Sequence, residues 1–148
     1  MAITQALTTS FKTQLLTGGH NFTNTTGDVF KLALFRAQAN IVGTFGAGTT
    51  NYSDMGADEA SGTNYSAGGS ALTNVTPTSS GTTAFTDFVD LVFSNVTITT
   101  SGCLVYNDTQ SDKSVAVFNF GSDKTATAGD LTIIFPTADA SNAIIRLV

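Results

Sequence analysis

The apolar residues of this chain change period once, at Gly18-Gly19, and that change sets the fold class. Before it, Ile3, Leu7, Phe11 and Leu15 recur at i, i+4, i+8 and i+12, with Leu16 beside them. This is the stripe of an amphipathic helix and predicts one over 3–17. Gly18-Gly19 then supplies the positive-φ residues that end helices. After it the period is two. In Asp28–Arg36 (DVFKLALFR), Phe30, Leu32 and Leu34 face one way and Val29, Lys31, Ala33 and Phe35 the other. That pattern is a strand with one buried face and one mixed face. Further strands are expected at Ser70–Thr76, Phe85–Phe93, Asn95–Thr99, Gly102–Tyr106, Ser114–Phe120, Asp130–Phe135 and Ala143–Val148. Pro77–Gly81 reads as a turn, and the polar run Asn107–Lys113 as a hairpin loop. Short strands at this spacing predict a mainly β chain, an antiparallel β-sandwich of immunoglobulin-like or jelly-roll-like type. The expectation is one domain over 1–148, with an N-terminal α-helix in 1–19 and a β-sandwich over 28–148.

The segment 37–69 does not fit this rhythm. It far exceeds the about 12–15 residues of ordinary loops, which points to a functional insertion. A short helix is expected around Ser53–Glu59, and the rest reads as a long loop able to reach a neighbouring chain. Phe45, Tyr52, Met55 and Tyr65 in this loop, with Phe11 on the helix, are therefore the candidate assembly contacts.

Composition now narrows the function. Thr occurs 26 times and Ser 13 times, against 6 basic and 11 acidic residues. Charged residues are 11% of the chain, where about 25% is usual. Neutral hydroxyls and amides have replaced the customary Lys/Glu surface. A net charge of −5 argues against sequence-independent nucleic-acid binding, which needs Lys and Arg on phosphates. No apolar run approaches the ~20 residues of a membrane-spanning helix. Met1-Ala2-Ile3-Thr4-Gln5 lacks the basic start of a secretory signal, and the single Cys103 has no internal partner. Both fit synthesis in a reducing cytoplasm. The seven Asn-x-Ser/Thr triplets, beginning at Asn21, Asn24, Asn51, Asn64, Asn74, Asn95 and Asn107, follow from this composition rather than from glycosylation.

No catalytic constellation emerges. His20, the only histidine, has no identifiable nucleophile or orienting partner and reads as a loop residue. Cys103 sits in the strand-like run Cys103-Leu104-Val105-Tyr106 and reads as a small buried hydrophobe. One Cys and one His do not make a structural zinc site. Asp87 and Asp90, three apart in an expected strand, point to opposite faces. Asp58-Glu59 read as solvated loop acids. The run Gly43–Thr50 lacks the Lys of a phosphate loop, and Asn107–Asp112 lacks the ligand spacing of a calcium loop. The expectation is a protein that is not an enzyme and uses no metal or cofactor. Phe dominates the aromatics, with 11 against 3 Tyr and no Trp, which suits a core more than a stacking platform for sugars or bases.

Several separated pieces resemble a family of small virion proteins of tailed phages. They are Met1–Leu7 continuing through Ser10-Phe11-Lys12 to Leu15-Leu16 and Gly18, and Phe30–Phe35, close to the family's "FKIALY"-like strand. Glu59–Gly69 (EASGTNYSAGG) is close to its "EvsGtgYtaGG" segment. Cys103–Asn107, Ala116–Gly121, Thr132–Pro136 and Ala143–Arg146 complete the set. The chain departs from the pattern in its Ala/Gly-rich insertion between Phe35 and Glu59, and in Phe93, where the family often has Trp. The resemblance implies a structural particle protein made in the host bacterial cytoplasm and located in the virion. A capsid decoration (cement) protein is the leading expectation, with the major capsid protein or other virion proteins as partners. A homo-oligomer, such as a trimer at quasi-threefold shell positions, fits that role; nucleic acid and membrane do not. A tail, neck or fibre-base protein, and a host-surface or glycan-binding module, are the alternatives.

Overall fold

The computed structural model describes residues 2–148. The strands are β1 (Ala2–Ile3), β2 (Ala6–Leu7), β3 (Phe30–Phe35), β4 (Thr44–Phe45), β5 (Ser70–Ala71), β6 (Asn74–Ser80), β7 (Thr83–Phe88), β8 (Leu91–Asn107), β9 (Lys113–Ile133) and β10 (Ile145–Leu147). One α-helix, α1 (Thr9–Leu16), and two 3₁₀ segments, Gln38–Asn40 and Tyr52–Asp58, complete the elements. The molecule is mainly β. Its largest sheet has five antiparallel strands in the order β2-β9-β8-β3-β5, a second has the order β10-β7-β6, and β1 pairs with β4 in parallel.

The helix is shorter than the apolar stripe predicts. It starts at Thr9, where the Thr8 hydroxyl accepts from the Phe11 N–H at 3.3 Å. Residues 2–7 are instead extended: Ala2-Ile3 run beside Thr44-Phe45, and Ala6-Leu7 beside Val117-Ala116. An i, i+4 spacing satisfies period two as well as a helical turn, so Ile3 and Leu7 could not discriminate between them. The helix end is as expected. Gly18 takes φ +71°, and the Gly19 N–H returns to the Gln14 carbonyl at 2.8 Å.

Strand β3 falls inside the expected segment and pairs with β8 from Phe30↔Asn107 to Phe35↔Gly102. Elsewhere the expected short strands merge. Asn95–Thr99 and Gly102–Tyr106 are parts of β8; Ser114–Phe120 and most of Asp130–Phe135 are parts of β9. The two form one long hairpin closed by 108–112, within the expected loop. Its ladder shifts register several times, with positive φ at Asn95, Gly121 and Ala128. Bulges of this kind absorb extra residues without ending a strand, and β-branched Thr favours the ladder. Phe85–Phe93, by contrast, breaks at Val89-Asp90 between β7 and β8. The expected turn at Pro77–Gly81 lies mostly in β6, which runs through Pro77 on a sheet edge with a register shift between Val75 and Thr78. An edge bulge is where a strand tolerates a residue without an N–H.

The five-stranded sheet is covered on both faces. On one, Phe30, Leu32, Leu34, Cys103, Val105 and Val115 share a core with Phe11, Phe22, Phe88 of β7 and Ile145 of β10. Phe22 and Phe30 stack there at 4.3 Å. On the other, Ala33, Phe35, Leu104, Tyr106 and Val117 pack with Ile3, Ile41, Phe45 and Met55. The segment read as a projecting loop is thus a folded layer over the sheet. Each large side chain it buries contributes roughly 1.5–3 kcal/mol, which offsets the ordering of a stretch with little regular structure.

Candidate functional site

The five candidate assembly contacts lie within the chain's own packing. Phe11, Phe45 and Met55 are 0%, 3% and 2% exposed. Phe11 joins the first core, and Phe45 and Met55 the second. Tyr52 and Tyr65 are half-buried, and both hydroxyls reach one carboxylate. Tyr52 donates to Glu59 Oε2 at 2.6 Å and Tyr65 to Oε1 at 2.8 Å. The Gly68 N–H also donates to Oε1, at 2.7 Å, and the Gly68 carbonyl accepts from Tyr106 at 2.7 Å. Tyr106 stacks on Tyr52 with ring centroids 4.7 Å apart. All three tyrosines therefore meet around Glu59 and Gly68. Burial, reinforced by the hydrogen bond to Glu59, pushes the Tyr52 phenol up to about 12. Burial raises Tyr65 further, although the Leu34 N–H donated to its oxygen works the other way.

Glu59 was expected to be solvated with Asp58; neither is free. Asp58 is 5% exposed and accepts from Arg36 Nη2 (2.6 Å), Val42 N–H (3.0 Å) and Gly43 N–H (2.6 Å). Burial opposes its charge, but these donors prevail and hold the carboxyl below its usual range. The two acids clamp the layer 37–69 onto β3, where Phe35 bridges Glu59 and the Ala60 N–H reaches the Leu34 carbonyl. The sequence signal for this hub was confined to Glu59–Gly69, whose spacing says nothing of where Tyr65, the nearby Tyr52 or the distant Tyr106 will point.

Beside the hub lies a polar groove of ≈ 480 Å³, lined by Arg36, Asn40, Glu59, Ser61, Thr97 and Thr99 among others. The Arg36 guanidinium forms one wall, its Nε without a hydrogen-bond partner. A second groove, of ≈ 530 Å³ and mostly apolar, runs along β9 between β2 and the approach to β10. Around it Ile134 is 76% exposed.

The remaining reactive groups are structural. His20 Nε2 lies 2.7 Å from Gln14 Oε1, which can only accept, so that nitrogen carries the proton. Nδ1 then accepts from Asn107 Nδ2 at 2.9 Å, and Asn107 also donates to Asp28 at 2.8 Å. Burial lowers the imidazole pKa, with Asp28 opposing. Far from being a bare loop residue, His20 is neutral and edges against Phe11. Cys103 is buried and its thiol is pushed far up by that burial. Asp87 is fully buried, accepting from the Phe88 and Ile144 N–H groups, while Asp90 accepts from Phe135. Burial raises the Asp87 pKa, and the Asp90 charge adds to it. The strand alternation invoked for this pair does not reach Asp90, which lies beyond the end of β7. Among the described residues no three His, Cys, Asp or Glu side chains cluster as metal ligands, and no helix is long and apolar enough to cross a membrane.

Comparison with protein-family models, curated proteins and solved structures finds no match for the chain.

Proposed function

We propose that this chain is a non-enzymatic structural protein of a phage virion, a decoration protein that binds the capsid shell and reinforces it. The observation that carries this reading is the outer half of the β8–β9 hairpin, a two-stranded arm over 91–100 and 124–133. One side of the arm packs on the core through Phe93, Val96 and Ile98. Its exposed positions are mostly neutral, among them Val92, Ser94, Thr97, Thr127 and Thr132. Such a surface is covered by a neighbour without the cost of desolvating unpaired ions. The charges that could oppose packing are partly spent inside the chain, as Arg36–Asp58 and Lys31–Asp108 show. In this reading the two larger sheets, which share the first core, form an antiparallel β-sandwich of immunoglobulin-like or jelly-roll-like type. The resemblance of the N-terminal segment, β3 and Glu59–Gly69 to small phage virion proteins points the same way. The protein is then made in the bacterial cytoplasm and incorporated into the particle, as a homo-oligomer such as a trimer against the major capsid protein. Quantifying the protein in purified particles tests this. A fixed integral ratio to the major capsid protein is expected; a ratio matching a single ring indicates the tail or neck, and absence from particles overturns the reading.

The polar groove favours one second reading, a host-surface glycan-binding module. Its hydroxyls, amide, guanidinium and carboxylate are the groups that hydrogen-bond sugars. Binding of the isolated protein on a glycan array, lost in Arg36→Ala, would support it.

A further inference from the structure

The apolar groove lies where two sheets leave their edges open. Strand β10 ends its sheet, so no described strand pairs with its outer edge. Strand β9 is flanked by β2 only at Ala116 and Val117; beyond them no described strand pairs with its outer edge. Between these edges Leu7, Phe118, Phe120, Ile133, Phe135 and Ile144 form the lining, and Cys103 from the first core reaches the groove. The apolar lining continues past Ile134 to Leu131 beneath Lys124. Charge singles out the occupant. The chain carries 11 acids and 6 bases, yet among the described residues the charged side chains lining the groove and its extension are Arg146 and Lys124 alone. Asp139 stands near Arg146, but its carboxylate is taken up by the Ser141 N–H and by the backbone and side-chain amides of Asn142.

We propose that this groove accepts an extended, acid-bearing apolar segment of another protein as an added β-strand, hydrogen-bonded to the open edges of β9 and β10. Alternate side chains of the added strand enter the groove, and its carboxylates meet Arg146 and Lys124. Strand addition takes its affinity from main-chain hydrogen bonds and its specificity from such alternate pockets. It also resolves a hazard, since long open edges otherwise pair indiscriminately. The proposal stands on the groove and not on the virion reading.

Selection of random-sequence peptides of strand length on the immobilised protein tests it. Enriched peptides should alternate apolar residues and carry Asp or Glu. A synthetic copy of one should slow amide exchange at Phe118–Phe120 and Ile145–Leu147. Ile134→Asp, at an exposed position that leaves the core intact, should weaken that peptide about tenfold or more. Joint Lys124→Glu and Arg146→Glu substitution, checked for unchanged thermal unfolding, should turn the selection toward Lys- and Arg-bearing peptides. The proposal is overturned if no peptides enrich, if they protect other amides, if charge reversal leaves the preference unchanged, or if the isolated protein self-associates with these amides already protected. Absence of the protein from particles would defeat the virion reading and leave this result standing.

Discussion

Glu59 holds three donors from its own layer, Tyr52, Tyr65 and Gly68, so its loss has a cost far larger than its half-buried position suggests. In Glu59→Leu the Tyr52 and Tyr65 hydroxyls and the Gly68 N–H lose their acceptor. Hydrogen bonds to a charged group contribute about 1.5–3 kcal/mol each, and their losses do not add in full. A loss of about 3 kcal/mol is expected in urea unfolding, and a change under about 1 kcal/mol would show that the hub is incidental. His20 makes a prediction of opposite character. Its folded pKa is depressed by burial, so the native state binds protons less readily than the unfolded chain. The stability it contributes is present above the ordinary imidazole value of 6.5 and is lost as pH falls through the lower folded value. An NMR titration should show the imidazole neutral, protonated on Nε2, with its midpoint below 6.5. A midpoint above that value would mean the Asp28 charge dominates. None of this was legible in the sequence. The partners of Glu59 lie within 9 residues of it, but in a segment without a regular period spacing does not say where side chains point. Asn107, which holds His20, is 87 residues away.

At the scale of elements, the sequence was most readable where periodicity and burial coincide. Strand β3 alternates between two buried faces, and its expected span needed only trimming at the ends. The loop closing the β8–β9 hairpin was equally visible in its polarity. The layer 37–69 was not, since Ile41, Phe45 and Met55 follow no single period and are aligned only by the sheet beneath them. That layer is testable. Met55→Ala should cost about 2–5 kcal/mol, as a buried cavity does, and should open cleavage after Arg36 by trypsin in a chain otherwise resistant there. Near-zero cost and cleavage of the wild type would mean that 37–69 is a loose loop after all. Gly69 tests the far end of the same layer. A Cβ there would stand 1.8 Å from the Leu32 carbonyl oxygen, at φ +73°. Gly69→Ala is expected to detach β5 and speed amide exchange at Leu72, whose N–H bonds the Phe30 carbonyl. Unchanged exchange would contradict this close approach.

For the whole molecule, low charge is the property that links the fold to the proposed function. Thr and Ser are placed on strands such as β8 and β9, where other proteins carry Lys and Glu, and the surface that results is inexpensive to cover. Phe11 and Phe45 are buried inside the chain and Tyr52 and Tyr65 partly so, and the proposed interface is therefore drawn at strand edges, the arm and the grooves. The mainly β class followed from the sequence; the merging of short strands into one long hairpin did not, because Thr, Ser and Gly serve both turns and bulged ladders. The central claim is that these surfaces meet a capsid shell. A cryo-EM reconstruction of the particle tests it most directly. The account predicts density fitting this chain on the outer capsid surface at symmetry-related shell positions, with the β8–β9 arm or the grooves at the contacts. Density confined to the tail or neck, or a shell bare of this protein, would contradict it.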